Sequence, residues 1–126
     1  MFVQKYIVDI VTSADDGSAT GYTPVVNGRI LSIQYIKDAE TAFTDGVDFT
    51  IITETTNQTI WTQTNVDASA LVAPRQATHS TAGVASLYAA AGQAVTDFVY
   101  VSNERIKIGI ASGGNSKLGR FVVQVG

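Results

Sequence analysis

His79 is the chain's only histidine, and so its one side chain that ordinarily titrates near neutral pH. Beside Ser80, with the distant Asp67, it has the residue types of a hydrolase triad: nucleophile, base and orienting acid. The Gly-x-Ser-x-Gly elbow that would present such a serine is missing, so the pattern gives no support to acyl transfer. Asp15-Asp16-Gly17, with Asp9 nearby, offers oxygen ligands of the kind calcium takes. The alternating acids closing on a glutamate are not there, and a solvated turn is expected instead. Gly113-Gly114-Asn115-Ser116-Lys117-Leu118-Gly119 resembles a phosphate-cradling loop, but it lacks the Gly-Lys-Ser/Thr ending and lies between two strand patterns. Cysteine is absent, which removes disulfides, thiolate nucleophiles and thiolate metal sites. The acids fall into no paired spacing suited to general acid–base work. The expectation is a protein without catalytic residues, metal or cofactor, and not an enzyme.

Residues suited to binding are easier to find. Trp61 and Tyr88 have flat faces that could stack on a sugar or fill a partner's pocket. Pro74-Arg75 couples a stiff backbone to a side chain favoured at protein interfaces. With Phe2 and His79 these make the candidate interface: Phe2, Trp61, Pro74, Arg75, His79 and Tyr88. Asn57-Gln58-Thr59 matches a glycosylation acceptor, which matters only on a secretory route.

The elements that would carry these residues read as strands. In Arg105-Ile106-Lys107-Ile108-Gly109-Ile110 the isoleucines recur every second position, which places them on one face and the cations on the other. Phe121, Val123 and Val125 repeat the rhythm. From Phe2 to Thr12, Phe2, Tyr6, Val8 and Ile10 share one face, and Val3, Lys5, Ile7, Asp9 and Val11 the other. Asn27-Gly28 between apolar runs is a strong hairpin signal. The outgoing run would put Ile30 and Ile36 on one face and Leu31, Ile33 and Tyr35 on the other, as in a central strand. Val47 to Glu54 and Thr59 to Thr64 make a further pair about Asn57-Gln58. Residues 67–96 differ, being rich in Ala, Ser, Thr and Gly. They are expected to form an excursion with a short helix or strand near Val84 to Tyr88, or two poorly marked strands. It would lie over the sheet or reach toward a partner. The prediction is a single all-β domain over residues 1–126, an antiparallel sandwich or small barrel of about six to eight strands.

Composition narrows the partners. The net charge is −3 and the eight cations are dispersed, so no footprint for nucleic acid is expected. No apolar run approaches a membrane span, and Lys5 and Asp9 interrupt the opening run as they would not in a signal peptide.

Four runs carry a likeness to a known family: Gly46-Val-Asp-Phe-Thr-Ile-Ile-Thr-Glu at 46–54, Ala-Pro-Arg-Gln-Ala-Thr-His-Ser-Thr at 73–81, Leu-Tyr-Ala-Ala-Ala-Gly at 87–92, and Asn-Glu-Arg-Ile-Lys-Ile-Gly-Ile-Ala-Ser-Gly-Gly-Asn-Ser-Lys-Leu-Gly at 103–119. Together they resemble small virion proteins encoded among the head genes of tailed bacteriophages and prophages. The resemblance implies a structural role in the virion, made in the host cytoplasm. A decoration protein would bind the major capsid protein or other head proteins, as a homo-oligomer such as a trimer. A connector at the head–tail junction is the second form of that expectation. A sugar-binding module built around Trp61 is the alternative from another class.

Overall fold

The computed structural model describes residues 2–126, and among them there is no helix. Ten strands form two antiparallel sheets facing each other as an open sandwich. The strands are β1 (Gln4–Val11), β2 (Ala19–Tyr22), β3 (Val26–Lys37), β4 (Val47–Thr53), β5 (Thr59–Val66), β6 (Ala70–Val72), β7 (Arg75–Ala77), β8 (Thr96–Glu104), β9 (Ile106–Ala111) and β10 (Leu118–Val125). The larger sheet runs β1-β10-β3-β8-β7, with β6 also on β3, and the smaller runs β2-β9-β4-β5. This is the expected all-β sandwich, not a closed barrel. It has ten strands because three short ones, β2, β6 and β7, are too brief to leave a periodic signature.

Alternation explains which side chains meet between the sheets. In β9, Ile106, Ile108 and Ile110 are buried, and in β10 Phe121, Val123 and Val125 are buried. Tyr35 and Phe121 from the larger sheet enclose Phe49 from the smaller one, with ring centroids 4.7 and 5.0 Å from Phe49. Phe43, from the loop after β3, stacks on Tyr35 at 5.8 Å. Rings offset or edge-on at these separations are favourable beyond the area they bury.

Two local expectations are corrected. Asn27-Gly28 makes no hairpin: it lies inside β3 opposite a bulge in β8, where the step from Val26 to Gly28 faces the longer one from Glu104 to Val101. Gly28 sits at φ 131°, and Asn27 Oδ1 accepts the Asn103 N–H at 2.8 Å, so both residues serve the bulge instead of a turn. The incoming run splits at Thr23-Pro24-Val25, where the chain passes from one sheet to the other. A second irregularity, opposite Gln124 and Val125, changes the phase of β3. Ile30 therefore joins Ile33 and Tyr35 in the core, while Ile36 faces out.

Candidate functional site

Residues 78–95 form an arm. Thr78 N–H donates to Val95 O at 2.9 Å, Ser86 N–H to Thr78 O at 2.9 Å and Val95 N–H to Ser86 O at 2.9 Å. The His79–Ala85 and Leu87–Ala94 bridges extend this, so the strip about Val84 to Tyr88 is strand-like and pairs on both sides. Two tight turns close the strip: Ser80 N–H donates to Val84 O at 2.8 Å, and Tyr88 N–H to Gln93 O at 3.0 Å. Of the forms expected here, a short helix, a short strand or two poorly marked strands, the chain takes a strand-like one, because the backbone groups are spent in this small meander. No residue from Arg75 to Phe98 is buried, and Val84, Leu87 and Tyr88 are 64%, 44% and 76% exposed. The arm is ordered by its backbone and has no core of its own.

Its root is held by charge on an aromatic face. The Arg75 guanidinium lies 4.1 Å from the Phe98 ring centroid, and that of Arg29 lies 5.0 Å away. Pro74 beside it is buried, and Arg75 also donates to its carbonyl at 2.9 Å.

The outer face of the larger sheet is the second surface. Cross-strand neighbours run Ile7–Val122–Gln34–Leu71, then Asp9–Arg120–Ile36, then Val11–Leu118. Ile7, Val11, Ile36, Leu71 and Leu118 are all exposed. Arg120 crosses this face to Asp9, with Nε–Oδ1 at 2.7 Å and Nη2–Oδ2 at 3.3 Å. A hollow of about 580 Å³ opens at its end, lined by Asp9, Ile36, Asp38, Leu118 and Arg120 among others. Its carboxylate and guanidinium already satisfy each other, and its Asp38 carboxylate accepts from the Thr41 and Glu40 backbone N–H groups, which lower its pKa.

The residues chosen from sequence do not converge. Phe2 is 92% exposed just before β1. Arg75 is at the arm's root, and His79 and Tyr88 are on the arm. Trp61 is corrected: it is buried in β5 against Phe49, at 5.7 Å edge-on, so it has no free face for a sugar. The irregularity between Ile51 and Ile52 in the β4–β5 pairing accounts for two consecutive buried residues there, Ile60 and Trp61. Asp67 is committed elsewhere, accepting the Gly46 N–H at 2.8 Å. Asp16 accepts from the Ser18 hydroxyl and N–H, which hold its carboxyl below the usual aspartate range. Among the described residues no group of three or more acids and histidines could hold a metal. The exposed outer face of the larger sheet joins residues from four strands and is not marked by any one run of the sequence. Its odd-numbered partners, Val3, Ile7 and Val11, were visible in the opening strand's second face.

Glu54, Glu104 and Arg105 tie the turn after β4 to the junction of β8 and β9. Arg105 Nε donates to Glu54 Oε1 at 2.8 Å, and Glu104 accepts the Thr55 and Thr56 N–H groups at 2.8 and 3.1 Å. The Arg105 guanidinium lowers the Glu54 pKa, and the Thr56 backbone N–H leads the lowering at Glu104. Carboxylates whose folded pKa is depressed add stability above their unfolded value, and lose it as pH falls through the folded one. The urea midpoint is therefore expected to drop as pH falls below the ordinary glutamate value of 4.5. Glu104→Gln should reduce both the midpoint at neutral pH and the steepness of that drop. Urea titrations at stepped pH measure both.

No protein-family model and no curated protein matches the chain. Among solved structures, the crystal structure of FlhE is similar, at 8% identity and a TM-score of 0.47, covering 99% of this chain and 98% of that one. The expectation of a phage virion protein is corrected by these comparisons, which return FlhE and no phage head protein. With it go the decoration, connector and sugar-binding readings. Part of the physical reason is plain in the fold: two of the four runs that carried the resemblance, 46–54 and 103–119, fall on the β4 strand and the β9–β10 hairpin, and such alternation recurs wherever an antiparallel sheet is built, while the other two, 73–81 and 87–92, are small-residue-rich segments of β7 and the arm.

Proposed function

We propose that the chain is a non-enzymatic assembly protein that works by contact with further copies of itself, using the 78–95 arm as the contact element. The observation that carries this is the arm's chemistry. From Gln76 to Thr96 there is no Asp, Glu, Lys or Arg across 21 residues. Yet Val84, Leu87 and Tyr88 stand in solvent on a hydrogen-bonded frame. Interface centres are depleted in charge and rich in aromatic side chains, and a neutral projection leaves no unpaired charge to be desolvated on docking. The same chain offers a surface of matching character in the apolar outer face of the larger sheet and its hollow beside Ile36 and Leu118. An arm of one copy on the face of the next is a head-to-tail contact.

The test is light scattering on the full chain. The wild type is expected to exceed its 13.3 kDa monomer mass, and Leu87→Asp combined with Tyr88→Asp to lower the mass observed. Both side chains are exposed, so the fold should persist, which the fluorescence of buried Trp61 reports. A double variant with the wild-type mass overturns the reading, as does a wild type that stays monomeric.

A further inference from the structure

We infer that the free edge of β1 is a two-fold interface, pairing antiparallel with β1 of a second copy in a register centred on Ile7. This goes beyond the arm contact and does not rest on it. Among the described residues β1 is an edge strand whose only ladder is with β10. Thr12 N–H donates to Lys117 O at 2.9 Å on the β10 side, just past the strand. Backbone groups alternate in direction along an antiparallel strand, so the even positions of β1 face β10, and Lys5, Ile7, Asp9 and Val11 turn theirs to the open edge. An eight-residue edge with unused donors and acceptors is a template for another strand.

The sequence of that edge is complementary to itself in one register. With Ile7 opposite Ile7 of the second copy, Lys5 stands opposite Asp9, Asp9 opposite Lys5, and Val11 opposite the Val3 that precedes the strand. On the inner face Tyr6 meets Val8, which continues the core across the junction. Shifting the centre to Lys5 or Asp9 sets like charges against each other. Centring on Tyr6 or Val8 sets a charge against Ile7. Opposite charges and apolar pairs directly across a ladder are favourable, and like charges are not. Lys5, Ile7 and Asp9 are exposed, and the Asp9 carboxylate also accepts from Arg120 of β10 through both oxygens, so its charge is shared between that cation and the open edge. The pairing would join two six-stranded sheets into one.

The experiment is sedimentation equilibrium on the full chain carrying Leu87→Asp and Tyr88→Asp, so that arm contacts do not contribute. The expected species has twice the 13.3 kDa chain mass. Lys5→Glu alone and Asp9→Lys alone each turn two attractive cross-strand pairs repulsive, and each should weaken the dimer by about tenfold. Mixing these two variants should restore dimers, because in the mixed pair every position 5 again faces an opposite charge at position 9. Ile7→Pro, which removes an edge donor without touching the β10 ladder, should abolish pairing while leaving Trp61 fluorescence unchanged. A monomer at millimolar concentration overturns the inference, as do single variants that dimerise like their parent or a mixture that fails to recover. Loss of mass on changing the arm alone bears only on the arm.

Discussion

Phe49→Ala is expected to lower the free energy of unfolding by about 3–5 kcal/mol, the largest effect of any single truncation in this chain. Phe49 is fully buried in β4. Its ring lies edge-on to Tyr35 at 4.7 Å, Phe121 at 5.0 Å and Trp61 at 5.7 Å, and reaches Phe43 at 6.5 Å. Deleting it removes the transfer free energy of the ring and opens a cavity that four large rings cannot collapse into without leaving their own contacts. A domain of this size has a total stability of only about 5–15 kcal/mol, so the variant would sit near the unfolding threshold. Urea titration followed by Trp61 emission reads the loss directly. A midpoint within error of the wild type would mean that the two sheets are not clamped through this cluster.

Gly119→Ala is expected to cost about 1–3 kcal/mol through the opposite fault, overpacking. A β-carbon at Gly119 would stand 2.3 Å from Phe43 Cε2 and 2.5 Å from Cζ. The ring cannot swing aside freely, since it is buried and stacked on Tyr35. Either β10 moves outward, or Phe43 leaves the core and takes with it the loop whose Thr41 carbonyl accepts the Leu118 N–H at 2.8 Å. That loop borders the hollow, so hydrogen exchange at Leu118 should quicken in the variant along with the drop in urea midpoint. An unchanged midpoint would place Phe43 elsewhere in solution.

Much of this fold was readable in the residues, and the reasons for the rest are physical. The isoleucines of β9 and the Phe121, Val123, Val125 rhythm announced their strands because one face is buried and one is wet. Asn27-Gly28 misled because a glycine able to take positive φ and an asparagine able to cap a backbone N–H serve a strand opposite a bulge as well as a turn, and only the partners decide. Strict alternation groups Ile36 with Ile30, and the irregularity at Leu31 that separates them has no local signature. Trp61 stood out as a surface ring because its neighbours Thr59, Thr62 and Thr64 are polar, yet a pairing shift turned it inward. The arm was legible by composition and unreadable in form, since alanine, serine and threonine carry little periodicity. The self-complementary edge was the hardest to see: it is a relation between two chains, and emerges only once β1 is known to have a bare side.

The pairing of Gln4 with Val125 and of Val11 with Leu118 makes β1 wait until β10 has been synthesised. At a ribosomal pace of about 5–20 residues per second, β1 spends several seconds without its intended neighbour. Contacts between residues so far apart in sequence also close slowly. During that interval both edges of β1 are open, the one that β10 later closes and the one inferred to meet a second copy, so a homotypic contact can form before the strand's own sheet is complete.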